Sequence, residues 1–199
     1  MTCSMDMMAL ILASGSPRRS ELLAKAGYEF EIVPALVDEW PPGKYPFHKL
    51  CAENAILKAR EVHEKHPEAV VLGADTMVGL DGEVMGKPRD IVDGECMLER
   101  LSGRVHEVCT GVCLCCGEIE HSFFEVTWVE FRKFGGKVIK DYTRRVDVID
   151  KAGSYAIQEH GEMLVANVEG AYDNVMGLPI ARVEEELERF EVRPRSSSE

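Results

Sequence analysis

The feature that most constrains the fold is an apolar run that gives way abruptly to a helical pattern near the start of the chain. Ala9 to Ala13 predicts a buried strand, and Pro17 to Ala26 predicts a helix. Ser16 suits the N-cap of that helix, Pro17 its first position and Gly27 the stop after its end, so the boundary signals agree. A strand that leads through Ser-Gly-Ser directly into a helix is typical of α/β sheet proteins.

The same alternation continues along the 199 residues. Further strands are predicted at Val70 to Ala74, Val108 to Cys116, Phe123 to Phe131 and Leu164 to Val168, a hairpin at Met77 to Met85 turning at Asp81-Gly82, and helices at Phe47 to His66, Asp93 to Leu101, Gly136 to Arg145 and Pro179 to Phe190. Strands mixed with helices and hairpins predict an α/β protein with a mixed sheet flanked by helices. We expect one domain over residues 7–192, with disordered ends at 1–6 and 193–199.

Charge and hydropathy disfavour two classes of protein. The 35 Asp and Glu against 23 Lys and Arg give a formal net charge of −12, which disfavours a protein that grips long nucleic acid through a basic face. No window approaches the roughly 18 uncharged apolar residues of a membrane span. The apolar stretch Met7 to Ala13 also lacks the basic residues that open a signal peptide. We therefore expect a cytoplasmic protein with no membrane partner.

Four of the seven cysteines lie close together, at Cys109, Cys113, Cys115 and Cys116. An odd count in a reducing compartment argues against a disulfide framework. One alternative is a zinc site with His106 as a further ligand, although the spacing lacks the Cys-x2-Cys pairs of tetrahedral sites. The other is a strand whose thiols act as small apolar side chains.

Arg18 and Arg19 stand in the first turn of the first predicted helix, where a cation opposes the helix dipole by about 0.3–1 kcal/mol. The placement indicates an anion there, because backbone N–H groups, the small Ser14 and Ser16 and two guanidiniums together suit a phosphate. If both arginines serve only a ligand, replacing them with Ala should leave thermal stability unchanged or slightly raised, because their unfavourable interaction with the helix dipole is relieved. The alternative is a solvated surface pair. Lys87, in the turn GKPRD, is a second phosphate candidate, and its alternative is a solvated loop.

The string VLGADT predicts that Asp75 follows a buried strand. Ligands collect outside the carboxyl ends of strands in open α/β sheets, so Asp75 is suited to hold a metal or accept a proton from water. The alternative is a cap on the following turn. Two basic loops and one such carboxylate together suggest a nucleotide or polyphosphate ligand with a hard divalent cation.

The predicted helix Phe47 to His66 is amphipathic. Its core stripe consists of Cys51, Ala52, Ala55, Ile56, Ala59 and Val62. Asn54 and Lys58 lie one turn apart on an edge of this stripe. Lys58 there either extends its stem along the apolar surface or leans over a cleft.

Eight strings occur in order along the chain: ASGSPRR (13–19), Asp38-Glu39, AENAILKA (52–59), GADTMV (73–78), GKPRD (86–90), LSGRVHEVCTGV (101–112), GSYAIQ (153–158) and EGAYDNVMGLP (169–179). In this order, from about residue 9 to 190, they resemble the motifs of the Maf family of nucleoside triphosphate pyrophosphatases. The resemblance covers nearly the whole chain. It implies a fold like that of the inosine triphosphatase group, an elongated, twisted mixed sheet in two lobes with a cleft, commonly dimeric.

The resemblance also implies hydrolysis of a nucleoside triphosphate between the α and β phosphates with Mg²⁺ or Mn²⁺. Asp75 matches the family's proton acceptor, and Glu39 matches an acidic residue that, with Asp75, is expected to hold the metal or water. The matching triphosphate positions are Ser14, Arg18, Arg19, Lys58 and Lys87, with Ser16 beside them. Lys58 and Lys87 are expected to offset charge on the leaving pyrophosphate.

Within the family, Arg18, Thr76 and Gln158 resemble the branch that acts on dTTP and UTP rather than the branch that acts on 7-methyl-GTP. The Gln158 amide can donate to a base carbonyl and accept from an imide N–H, which suits thymine or uracil. Ala156 and Glu159 depart from the YGIQG string of that branch, and we expect them to stiffen the loop or alter base preference.

Three alternatives remain at the level of the sequence. His106 is either a base or a support for its loop, and the family resemblance favours Asp75 as the proton acceptor. The chain is either an enzyme or a non-catalytic nucleotide-binding regulator of cell division, and the presence of both Asp75 and Glu39 favours an enzyme. A 7-methyl-GTP-type pyrophosphatase is the alternative in substrate.

Overall fold

The computed structural model describes residues 8–195. Its strands are β1 (Leu10–Leu12), β2 (Glu31–Ile32), β3 (Val70–Leu80), β4 (Glu83–Met85), β5 (Val105–Cys116), β6 (Ile119–Phe131) and β7 (Val165–Glu169). Its α-helices are α1 (Pro17–Lys25), α2 (Phe47–His63), α3 (Ile91–Leu101), α4 (Gly136–Arg145), α5 (Tyr172–Met176) and α6 (Ile180–Arg189). None of the described helices is long and apolar enough to cross a membrane.

The described strands form one mixed sheet in the order β2-β1-β3-β5-β6-β7, with β4 paired to β3. β2, β1 and β3 run parallel, and β3, β5, β6 and β7 run antiparallel to their neighbours. β5 covers one edge of β3 from Val71 to Gly79, so β4 must share the other edge with β1. β1 pairs only as far as Leu72, and β4 begins pairing at Val78. Among the described strands, residues 73–77 of β3 therefore keep an open edge.

The α1 boundaries follow the local signals in the sequence. Pro17 is the first helical residue, and Gly27 adopts φ +87° directly after the C-cap. Gly27 N–H donates to Ala24 O and Tyr28 N–H donates to Leu23 O, which is the Schellman pattern. Ser16 occupies the predicted N-cap position, although its side chain makes no capping hydrogen bond.

α2 lies directly on β3 and β5 because glycines face it. A Cβ on Gly73 would lie 2.5 Å from Ala55 O, and a Cβ on Gly111 would lie 2.3 Å from the carbonyl of Cys51. The predicted core stripe of α2 is confirmed, with Cys51, Ala55, Ala59 and Val62 fully buried and Ala52 and Ile56 half-buried. The close contact brings the polar edge of α2 against β3.

The other face of the sheet carries two separate hydrophobic clusters. One joins β1 and β3 to α1 and α6, and the second joins β3, β5 and β6 to α3 and α4. Between them lie buried or half-buried polar side chains, namely Thr76, Thr110, Thr127 and Asn174, linked by hydrogen bonds. This polar seam separates the two hydrophobic clusters. The mixed sheet flanked by helices confirms the expected α/β class.

β3 is longer than the sequence predicts. The expectation of a strand ending at Ala74 and a hairpin starting at Met77 is wrong, because one strand runs from Val70 to Leu80 through Asp75. The polar pair Asp75-Thr76 suggests that an apolar strand ends there. The strand continues because both side chains form hydrogen bonds within the fold. The turn itself is confirmed, with Asp81 and Gly82 at φ +53° and +81°, as a type I′ hairpin requires.

Part of the expected disordered C-terminal end is ordered. Arg195 N–H donates to Gly27 O at 2.9 Å, and its guanidinium pairs with Glu29. Residues 193–195 are therefore held against the segment that follows α1, whereas residues 1–6 and 196–199 lie outside the described residues. Two short elements, β2 and α5, were not predicted, since they carry too few residues to show a period.

The cysteine cluster is confirmed as part of a strand, β5. Cys109, Cys113 and Cys115 lie on one face of β5, whereas His106 lies on the other, so His106 cannot share a metal with these three cysteines. Cys113 and Cys115 lie near Glu120, the one described grouping with metal-like spacing, but Arg60 already binds that carboxylate through two hydrogen bonds of 2.5 and 2.8 Å. The thiols pack as small apolar groups against α2.

Candidate active site

A cleft of about 710 Å³ opens at the open edge of β3. It is lined by residues of the β1–α1 loop (13–19), the segment before α2 (35–42), the middle of β3, the β4–α3 turn, the loop before β7 (150–158) and the end of α5. Because the edge is open, side chains from both faces of β3 reach the cleft. Asp75 enters it on the α2 face and Thr76 on the opposite face.

Asp75 is held by two donors from α2. Lys58 Nζ lies 2.7 Å from Asp75 Oδ1 and also 2.7 Å from Glu39 Oε1, so one ammonium bridges the two carboxylates. Asn54 Nδ2 donates to Asp75 Oδ2 at 3.3 Å. These donors offset the burial of a carboxylate that is only 8% exposed. The expectation that Asp75 stands at a strand end is wrong, but its side chain still reaches the cleft. Lys58 leans over the cleft.

Arg19 is bound mainly by the protein itself. Its Nε donates to Gly177 O at 2.9 Å, Nη1 to Ser14 Oγ at 3.0 Å and Nη2 to Thr76 Oγ1 at 3.0 Å. Burial lowers the pKa of this guanidinium, and the Asp75 carboxylate acts in the opposite direction. Arg19 thus joins α1, β3 and the end of α5, which the sequence alone did not indicate.

Arg18 and Lys87 face the cleft with fewer protein partners. Arg18 Nη1 lies 3.7 Å from Asp150 Oδ2, and its side chain is 26% exposed. Lys87 is exposed in the turn after β4 and lines the same cleft. Arg89, which shares this basic turn, instead pairs with Asp93 on the first turn of α3. The two basic loops therefore contribute one cation each that is available to an anionic ligand.

The loop before β7 carries Gln158 at the cleft and is braced by a buried lysine. Gln158 is exposed, while Tyr155 and Ala156 beside it are buried. Lys151, only 6% exposed, lies 2.8 Å from Asp150 Oδ1 and 3.6 Å from Glu159 Oε1. The carboxylate of Glu159, one of the two departures from the family string, is therefore paired with a cation.

The model of the family described as Maf-like protein matches residues 9–190. The chain belongs to the Maf family. A relative of this Maf protein from Akkermansia muciniphila, named dTTP/UTP pyrophosphatase, is 47% identical over 87% of this chain and 92% of its own length. Relatives with the same name occur in Symbiobacterium thermophilum, at 45% identity over 92% of this chain and 95% of its own, and in Bacillus cytotoxicus, at 43% over 93% and 97%.

His106 lies outside the cleft of this Maf protein. Its ring is buried at 1% exposure, its Nε2 lies 2.8 Å from the Tyr155 hydroxyl, and its edge packs on Phe131. Burial lowers its pKa to about 4. The sequence leaves His106 as either a general base or a support for its loop. The structure fits the support role and not the base, because the ring lies outside the cleft and braces the loop that carries Gln158.

Three further residues shape the site of the Maf protein without having been singled out for it. Asn54 binds Asp75, Lys151 braces the Gln158 loop, and Asn174 anchors α5 by donating to Val108 O at 3.1 Å and Thr127 Oγ1 at 3.0 Å. Only Asn54 had a usable signal, since it is a polar residue next to the core stripe of α2. The others depend on contacts between distant segments.

Proposed function

We propose that this Maf protein hydrolyses dTTP and UTP between the α and β phosphates, releasing a nucleoside monophosphate and pyrophosphate. The observation that carries the proposal is one cleft holding a bridged carboxylate pair, Asp75 and Glu39, together with the cations Arg18 and Lys87 and the Gln158 amide. The names of relatives at 43–47% identity support the same substrates. The cleft volume also suits a ligand of nucleotide size.

Within this proposal the metal is Mg²⁺ or Mn²⁺, held by Glu39 and Asp75. The two carboxylates fit such an ion, since both already converge within 2.7 Å of a single cationic atom, Lys58 Nζ. Carboxylate oxygens are the donors that hard divalent ions prefer. When bound, the ion supplies charge stabilisation to phosphate oxygens.

Asp75 is the proposed proton acceptor. Each of its oxygens takes one N–H donor, from Lys58 or Asn54, and an ionised carboxylate oxygen has a second lone pair with which to accept from water. Lys58, Lys87 and Arg18 surround the same space and offset negative charge that develops on the leaving pyrophosphate. In this proposal, Ser14, Ser16 and Thr76 line the phosphate end, and Arg19 holds Ser14 and Thr76 in position.

Base recognition is assigned to Gln158. Its amide offers one donor and one acceptor, which is the complement of a carbonyl and imide N–H on thymine or uracil. A site that binds this edge disfavours bases without it, because their binding leaves polar groups unpaired.

The proposal also includes a single domain over 7–192, a cytoplasmic location and a homodimer. The homodimer rests on the family resemblance and can be tested by sedimentation equilibrium.

The decisive experiment is a panel of nucleoside triphosphates, including dTTP, UTP, dCTP, dGTP and 7-methyl-GTP, scored for pyrophosphate release with Mg²⁺ or Mn²⁺. We expect dTTP and UTP to lead, and Asp75→Asn to lower kcat by about 10² or more with nucleotide affinity retained. A lead for 7-methyl-GTP would support the alternative branch. Nucleotide binding without turnover by the wild type would favour the regulator.

A further inference from the structure

Asn54 connects the two acidic segments of the cleft without lining the cleft itself. We propose that Asn54 is a positioning residue, which holds the Asp75 carboxylate and the peptide that follows Glu39 in one fixed arrangement. The inference rests on the proposed function, since it assigns Asn54 a part in the same reaction.

One side-chain amide makes every contact that this role needs. Asn54 Oδ1 accepts from Trp40 N–H at 2.8 Å, and Asn54 Nδ2 donates to Trp40 O at 3.4 Å and to Asp75 Oδ2 at 3.3 Å. Trp40 directly follows Glu39 in the chain. The amide therefore ties the backbone beside one carboxylate to an oxygen of the other.

Asn54 complements Lys58, which lies one helical turn further along α2. Lys58 bridges the two carboxylates through its side chain at Asp75 Oδ1, whereas Asn54 takes the other oxygen, Oδ2. Each oxygen of the Asp75 carboxylate therefore accepts from its own donor, Lys58 or Asn54, and these two bonds restrain rotation of the carboxylate about its terminal torsion. Fixed orientation is what a proton acceptor requires, because misplacement by about 1 Å can cost a factor of about 10² in rate.

The segment before α2 depends on such ties. Residues 33–46 form an extended loop with no helix or strand, and Glu39 lies at its middle with a half-exposed side chain. Leu36 N–H donates to Glu61 Oε2 on α2 at 3.2 Å, Glu39 pairs with Lys58, and the backbone of Trp40 is bound by Asn54. Without Asn54, the position of Glu39 relative to Asp75 would rest on the flexible Lys58 side chain and on the packing of the Trp40 ring.

A buried asparagine at position 54 would lower the stability of the fold, relative to an apolar residue, unless its hydrogen bonds were made. It is fully buried between Cys51 and Ala55 on the sheet-facing side of α2, where an apolar residue would continue the stripe. A buried amide is tolerated only when its hydrogen bonds are made, and here all of them go to Trp40 and Asp75. Neither Asp nor Leu can replace this combination of one acceptor and two donors.

The test uses the full chain with Trp128→Phe, which leaves Trp40 as the single tryptophan reporter. In Asn54→Ser we expect kcat to fall at least about tenfold, while the Kd for α,β-methylene-dTTP stays within about twofold. Trp40 emission should shift to the red and its quenching by acrylamide should rise, since its backbone tie is lost. Asn167→Asp, on the exposed face of β7, is the control and should match the parent.

Asn54→Asp keeps only one of the ties. It retains the acceptor for Trp40 N–H but has no N–H to donate to Asp75 or to Trp40 O, so we expect lowered kcat and a smaller red shift of Trp40 emission than in Asn54→Ser. In a cycle with Asp75→Asn, the effect of Asn54→Ser on kcat should largely disappear, because the residue acts through Asp75. A purely structural role would add its effect to that of Asp75→Asn.

Three results would overturn the inference: unchanged kcat in both folded Asn54 variants, full additivity in the cycle, or unchanged Trp40 emission in Asn54→Ser. If Asn54→Ser fails to fold, Asn54→Asp carries the same kcat comparison and cycle. The emission test needs no turnover. It therefore judges the Asn54 ties even if the parent protein hydrolyses none of the nucleotides and the proposed function fails.

Discussion

Asp75 lies directly opposite Gly111 in the antiparallel ladder between β3 and β5. A Cβ at Gly111 would come within 2.3 Å of the Cys51 carbonyl on α2, so only glycine lets the helix settle on the sheet at the register position of Asp75. The contacts of Asp75 with Asn54 and Lys58 are therefore set in part by a residue that has no side chain.

Gly111→Ala should damage both the fold and the site. The added methyl group must push α2 away from β5, which we expect to lower the free energy of unfolding by about 1–3 kcal/mol. The same shift separates Lys58 from Asp75, so kcat should fall by about tenfold or more. Urea unfolding and steady-state kinetics measure the two effects. Gly136→Ala is the control, since a Cβ there meets nothing within 4 Å; equal behaviour of the two variants would refute the packing argument.

Arg18 and Arg19 should separate in a stability measurement. Arg19→Ala removes one hydrogen-bond donor each from Ser14 Oγ, Thr76 Oγ1 and Gly177 O, and we expect the free energy of unfolding to drop by about 2 kcal/mol. Arg18→Ala removes one partly exposed ion pair with Asp150, worth about 0–1 kcal/mol, but should raise KM strongly. This replaces the expectation from sequence that both can be removed without loss of stability. Equal melting temperatures for the two variants would contradict it.

Gln158→Ala should flatten base preference rather than abolish catalysis. The loss of an amide that pairs with the pyrimidine edge should cost kcat/KM for dTTP and UTP about 1–3 kcal/mol, with little change for purine triphosphates. The phosphate end of the cleft, including Lys87, is untouched. Kinetics on dTTP, UTP and dGTP with parent and variant test this. A uniform loss on all substrates would show that Gln158 shapes the loop instead, and Ala156 and Glu159 would then be examined first.

His106 should make the protein less stable in mild acid. Its pKa is lowered by burial to about 4, against an ordinary value of 6.5, so the unfolded state binds more protons between these pH values. The free energy of unfolding contributed by this group therefore decreases as pH falls through that window, by about 3 kcal/mol in all. His106→Phe should be less stable at pH 7, because the Tyr155 hydroxyl loses its partner, yet should show a smaller loss on acidification. Urea unfolding at several pH values gives both slopes, and identical slopes would rule His106 out.

Much of the local structure of this protein can be read from the sequence because its signals are local. Pro17 and Gly27 mark α1, Asp81-Gly82 marks a hairpin turn, and the stripe from Cys51 to Val62 marks the buried face of α2. The residue types of a phosphate site were also visible, because two arginines at a helix start contradict what helix stability favours.

Residue types and local periodicity show which side chains are available for chemistry and on which elements most of them lie. Their partners depend on the folded arrangement. It sets Asp75 in the middle of β3, binds Arg19 to Ser14, Thr76 and Gly177, joins Glu39 to Asp75 through Lys58, and buries His106 away from the cleft. These outcomes depend on packing between segments far apart in the chain, such as Gly111 against Cys51, and no periodicity or spacing within one segment carries that information.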